Sequence, residues 1–129
     1  MKKAIKIDVE TQSVYHVELG DNYADIYPAI GNGCDTFCIP VSFENNDSLY
    51  ADDESLLRPD DIKGGFYFDG WNSPIVGNAI ILGSDDEGES VDCLTTIEDI
   101  QRQVNFIDVE TCQRWAKYAL STPPTIITF

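Results

Sequence analysis

The sequence predicts an α+β fold: a mostly antiparallel β-sheet that begins with an N-terminal hairpin, joined by two or three helices including a C-terminal one. Three observations predict it. Apolar residues alternate with period two over Ala4–Val9 and again over Val14–Leu19. Asn78–Leu82 is apolar at nearly every position, as expected of a strand covered on both faces. Capping signals at Thr95 or Thr96, followed by Glu98 and Asp99, open a helical stretch late in the chain.

In order, Glu10-Thr11-Gln12-Ser13 is a polar turn of hairpin length between the first two strands. Asp21 is expected to cap a short helix carrying Tyr23, Ile26, Tyr27 and Ile30, ended by Gly31 or Gly33 and interrupted or kinked by Pro28. Cys34–Phe43 reads as a strand with Phe37, Ile39, Val41 and Phe43 on one face and Cys34, Cys38, Pro40 and Ser42 on the other. Pro40 points to an edge or a bulge there. Glu44–Asp47 is a turn and Ser48–Asp52 a short returning strand. Leu57–Ser73 reads as an irregular excursion around Phe66-Tyr67-Phe68, and Gly83–Glu89 as an exposed acidic loop before a short strand at Val91–Cys93. A helix is expected over Ile97–Val104 and another from about Val109, with Glu110 and Arg114 one turn apart. Pro123-Pro124 ends that helix, and Thr125–Phe129 is a candidate edge strand. The whole of residues 1–129 is read as one domain, a length that buries a core without staples. The repeated Ile-Asp-Val-Glu-Thr at 7–11 and 107–111 is read as coincidence, since no further period supports duplication.

Charge is the outlying property. The formal net charge is −15, with 23 acidic side chains against 8 basic ones. Residues 1–43 carry −3, residues 44–99 carry −13 with only Arg58 and Lys63 as cations, and residues 100–129 carry +1. A field of this sign repels nucleic acid and anionic membranes and attracts basic protein surfaces. Direct nucleic-acid and membrane binding are therefore not expected. A host protein with a basic surface is the expected partner, and a homo-oligomer stays open. The segment after Met1-Lys2-Lys3 is strand-like and interrupted by Lys6 and Asp8, unlike a signal peptide, so a cytoplasmic location is expected.

Catalytic templates find little to match. His16 is the single histidine and lies mid-strand; a pairing with Cys34 has nothing local to mark either residue as activated. Gly31-Asn32-Gly33 lacks the strand, helix and lysine of a phosphate loop, and Gly64-Gly65 reads as backbone freedom before an aromatic strand. Cys34, Cys38, Cys93 and Cys112 lack the paired spacing of a zinc site and read as reduced thiols, although the near pair Cys34 and Cys38 leaves a disulfide open. No catalytic residue, metal or cofactor is expected.

Two candidate sites remain. The first is an acidic face formed by Asp52, Asp53, Glu54, Asp60, Asp61, Asp85, Asp86, Glu87 and Glu89; their consecutive spacing suits solvated loops better than a calcium loop. The second is a small-molecule site, for a nucleotide signal, built from Arg58, Lys63, Tyr67, Trp71 and Asn78.

The segments Lys3–Asp8, Leu49–Glu54, and Gly77–Gly83 followed by Asp85-Asp86-Glu87-Gly88 resemble a family of small acidic proteins of unknown function carried by phages, plasmids and other mobile elements. The resemblance spans roughly residues 1–93 and assigns no catalytic residue. It implies an accessory protein acting inside a bacterial cell; together with the acidic middle segment, the expected mode is protein binding, as an inhibitor or decoy of a host protein, with imitation of the charge of DNA as one form of it.

Overall fold

The computed structural model describes residues 1–31, 34–71 and 73–121. The expected hairpin forms from β1 (Lys2–Asp8) and β2 (Ser13–Leu19), in register from Lys2 opposite Leu19 to Asp8 opposite Ser13. Its turn is held by Asp8, whose carboxylate accepts the backbone N–H groups of Glu10 and Thr11 and the Tyr15 hydroxyl. Burial acts to raise the Asp8 pKa, but these hydrogen bonds prevail and hold it below 3.8, while the same contact raises Tyr15 above 10.0. The depressed Asp8 value stabilises the hairpin above pH 3.8, and that contribution is lost as pH falls through the lower folded value. The raised Tyr15 value stabilises below pH 10.0 and is lost as pH rises through it. In a carbon-detected NMR titration, Tyr15→Phe should move the Asp8 midpoint up; an unmoved midpoint would show the tyrosine bond to be idle.

The chain then makes a 3-10 turn at Tyr23–Asp25 and the short helix α1 (Ile26–Ile30). Asp21 does not cap it: the side chain that accepts a backbone N–H here is Asn22, bonded to Ala24. Pro28 sits in the first turn, where its missing N–H costs no helical bond. Gly31, at φ 80°, ends the helix by donating to the Tyr27 carbonyl; Gly33, the other candidate terminator, lies outside the described residues.

Strands β3 (Phe37–Ser42) and β4 (Asp47–Asp52) pair antiparallel across a bulge between Cys38 and Val41. The bulge corrects the expected facing. Cys38 and Val41 point to the same side of the sheet, Phe37 points to the other, and Ile39 is exposed. Strand β7 (Ala79–Ser84) is central as expected, between β1 and β4, with Ile80 and Ile81 fully buried on opposite faces. Each such side chain stabilises the fold by about 2 kcal/mol relative to exposure. Among the described residues the main sheet has six strands, ordered β2-β1-β7-β4-β3, with β8 (Ser90–Val91) paired to β7.

A second sheet was not expected. β5 (Gly65–Phe68), within the stretch Leu57–Ser73 read as irregular, pairs with β6 (Ile75–Val76), which follows that stretch. β5 also takes β9 (Val104–Ile107), which follows α2 (Ile97–Gln103) directly. Val104 thus belongs to a strand and not to the preceding helix. Helix α2 is capped by Thr96, which accepts from the Asp99 N–H. Helix α3 (Val109–Ser121) begins where expected, with Glu110 and Arg114 3.6 Å apart. Pro123-Pro124 and the candidate strand Thr125–Phe129 lie outside the described residues.

The layers follow from which side each residue faces. Tyr27, Phe37 and Tyr50 form an aromatic row under α1, with centroids 5.2 Å apart at each contact. Between the two sheets lie Ile5, Ile7, Leu49, Phe66, Phe68 and Ile81, with Phe43 edge-on to Phe68 at 5.8 Å. Beyond the small sheet, α3 packs Cys112 and Ala116 onto Ile62, Val76 and Ile107. That last layer needs glycine at 65, because a Cβ there would lie 2.6 Å from the Ile75 carbonyl oxygen and 2.8 Å from the Cys112 sulfur. The order is helix, six-stranded sheet, three-stranded sheet, helix.

Candidate functional site

The expected acidic residues do not come together. Ala51 of β4 lies opposite Ala79 of β7, and Asp47 opposite Gly83. Asp52, Asp53 and Glu54 therefore leave one end of this ladder while Asp85, Asp86, Glu87 and Glu89 follow the other end, about 20 Å away at a strand's rise per residue. Asp60 and Asp61, in a 3-10 turn beside α3, belong to the first end. The loop at the second end is organised by Asp85, which accepts the N–H groups of Glu87 and Glu89.

Asp52 is not part of any exposed face. It is 7% exposed, pairs with Arg58, and accepts the Glu54 N–H at 2.9 Å. Arg58 is consumed in that pair, and its Nε is buried without a hydrogen-bond partner. Asn78 is likewise internal, accepting the Val9 N–H at 2.8 Å and donating to the Ile30 carbonyl at 3.0 Å, so it ties α1 to the hairpin. Lys63 and Tyr67 are exposed. Of the five residues expected in a small-molecule site, Trp71 lines a cavity within that region.

That cavity, about 250 Å³, lies beside β3, the outer strand of the main sheet among the described residues. Cys38, Pro40, Ala51, Asp52 and Asp53 form one wall, Trp71 with Ser73, Pro74, Ile75 and Val76 a second, and Leu56 with Trp115 of α3 the third. On the far side of Pro40 and Trp71 the hollow continues for about 390 Å³ toward Phe43, Glu44 and Asp69. Trp115 escaped sequence reasoning, although Cys112, Trp115 and Ala116 fall at the helical spacing that marks a packed face. Another hollow, about 720 Å³, lies by the second acidic end and is lined by Lys2, Asp21 and Glu89 among others.

Chemistry at the thiols is suppressed. The four cysteines are free, so Cys34 and Cys38 are unbridged. Burial, then the neighbouring carboxylate of Asp52, pushes Cys34 up to about 11; burial and then Asp53 push Cys38 up to about 11. Burial raises Cys112 to about 11 as well. The thiol that shares a hollow with His16 is Cys93, not Cys34, and burial with Asp47 raises it too. Protonated thiols are weak nucleophiles. His16 lies 3.4 Å from the Ala4 carbonyl oxygen. Among the described residues, no three His, Cys, Asp or Glu side chains converge as a metal site, and no helix is long and apolar enough to cross a membrane.

One buried acid was also missed. Asp47 is 1% exposed and accepts the N–H groups of Leu94 and Thr95 and the Thr95 hydroxyl, pinning the chain ahead of α2 to the start of β4.

No curated protein and no solved structure matches the chain. A family model does match, over residues 1–105, a span that contains both sheets up to the first half of β9 and leaves α3 outside. The chain belongs to the family described as a domain of unknown function, DUF3846.

Proposed function

We propose that this chain is a non-enzymatic binding protein, an accessory of a phage or other mobile element, that engages the basic surface of a host protein as an inhibitor or decoy. The observation that carries the reading is the supply of acids left without a cation. Among the described residues, no ion pair involves Asp53, Asp60, Asp85, Asp86, Glu87 or Glu89. Unpaired exposed carboxylates on a chain of net charge −15 speed association with a basic partner and select against anionic ones. Imitation of DNA requires carboxylates spaced like phosphates, whereas a split between two ends favours a partner that grips one of them.

The test retains a bacterial host lysate on the immobilised chain and on two neutralised variants. One carries Asp85→Asn, Asp86→Asn, Glu87→Gln and Glu89→Gln; the other carries Asp53→Asn, Asp60→Asn and Asp61→Asn. A basic protein should be retained at low salt, released at high salt, and lost with one variant set. Retention of nothing beyond a charge-matched control protein, or retention indifferent to both sets, would sink the reading.

A further inference from the structure

The chain has two tryptophans, and both line the same cavity, Trp71 from the loop after β5 and Trp115 from α3. Trp71 is 40% exposed, a large apolar surface to leave in water at the mouth of a cleft. One side of Trp115 is taken by Tyr118, stacked at 5.8 Å, while Trp71 belongs to no ring pair among the described residues. Two carboxylates line this cleft; Asp52 is answered by Arg58, which leaves Asp53 open to a ligand. Asp53 is exposed and approaches the Cys38 thiol, and no Lys or Arg is among the residues that line the hollow. An anionic ligand would bring its charge against Asp53. A cation would find a carboxylate and an indole face together, the two groups that hold a guanidinium best.

The edge beside the cleft decides how a partner is read. Among the described residues β3 is the outer strand of the main sheet, so an extended segment would ordinarily add to it by backbone pairing. Pro40 has no N–H and the bulge at 39–40 breaks the regular repeat, so continuous strand addition is blocked. Recognition here must rest on side chains entering the hollows on either side of Pro40 and Trp71. The second hollow has Glu44 and Asp69 on its rim, continuing the same charge.

We propose that the cleft lined by Trp71 and Trp115 is the anchor site for an arginine side chain of a basic partner segment, with the guanidinium on the Trp71 indole and paired with Asp53. This rests on the binding-protein reading above and gives it a location at the first acidic end. Arginine fits better than lysine because its planar cation stacks on an indole and meets a carboxylate with two parallel donors.

Because both tryptophans line the cleft, intrinsic fluorescence of the full chain reports on it directly. The probe is a capped hexapeptide alternating glycine and arginine, with the same peptide carrying neutral citrulline as control. The arginine peptide should change the tryptophan emission saturably and bind about tenfold more tightly than the citrulline peptide. Trp71→Ala and Asp53→Asn, both at exposed positions, should each weaken it about tenfold, read by amide NMR shifts at 38, 39, 53, 73, 75 and 76. Circular dichroism confirms that each variant is folded. Equal binding of the citrulline peptide, indifference to Asp53→Asn, shifts confined to 85–89, or quenching by adenosine monophosphate in place of the peptide would each overturn the anchor. The two proposals fail separately. A host protein lost with neutralised acids but held by Trp71→Ala and Asp53→Asn removes the anchor alone. Arginine-peptide binding at the cleft with no host protein retained removes the wider reading alone.

Discussion

Asp47→Ala is expected to lower the free energy of unfolding by about 3 kcal/mol, because it strands several partly buried donors at once. The carboxylate sits at the first position of β4 and accepts from Leu94 N, Thr95 N and Thr95 Oγ1, at 2.6 to 3.1 Å. Those bonds join segments nearly fifty residues apart and set where α2 begins. Alanine leaves the two N–H groups without their acceptor in a partly buried site. Asp47→Asn keeps one acceptor oxygen and should cost less, and Thr95→Val, which removes only the hydroxyl, about 1 kcal/mol. Urea melts followed by circular dichroism order the three. A loss for Asp47→Ala within about 0.5 kcal/mol of zero would show that the 94–95 segment is held by something else.

Arg58→Met should destabilise by a similar amount, about 3 kcal/mol, for a different reason. The Asp52 side chain is 4% exposed and its charge is answered by Arg58; without the guanidinium it keeps one backbone donor, Glu54 N. The cost is that of a buried charge left alone, not the worth of the pair. The pair itself is weakly stabilising, since the Arg58 side chain is 26% exposed and its Nε is buried without a partner. The double variant Asp52→Asn with Arg58→Met should therefore regain most of the lost stability. Failure of the double variant to recover would mean that Arg58 acts through packing of its stem and not through Asp52.

These two carboxylates also explain why part of the site was legible in the sequence and part was not. Asp52 stands in the run Asp52-Asp53-Glu54, where local pattern treats three acids alike. Burial separates them: Asp52 faces Arg58 while Asp53 is open to the cleft. Asp47 reads as a turn residue before a strand, and nothing near it in sequence announces Thr95. Asn78 looked like a ligand because it sits among glycines and aromatics, yet its amide is spent on Val9 and Ile30. In each case the deciding partner is far away in the chain, where periodicity has no reach.

The elements divide in the same way. The hairpin, the central strand β7, the Thr96 cap and the start of α3 were readable because each rests on contacts within a few residues: alternation, an unbroken apolar run, a side chain bonding three positions on. β9 was not, because Val104-Asn105-Phe106-Ile107 is four residues between two helices and becomes a strand only by pairing with β5. The bulge in β3 was signalled by Pro40, but its consequence, Phe37 and Val41 on opposite faces, appears only when β4 sets the register.

The sequence by itself determined that this is an acidic α+β protein with its charge massed between residues 44 and 99, since composition and local pattern suffice for both. The tertiary structure decided which of those acids meet water, that they leave opposite ends of the β4–β7 ladder, and that Trp71 and Trp115 line one cleft with Asp53. Those facts depend on long-range strand pairing and on α3 closing over the second sheet, and such contacts leave no periodic trace in the chain that makes them.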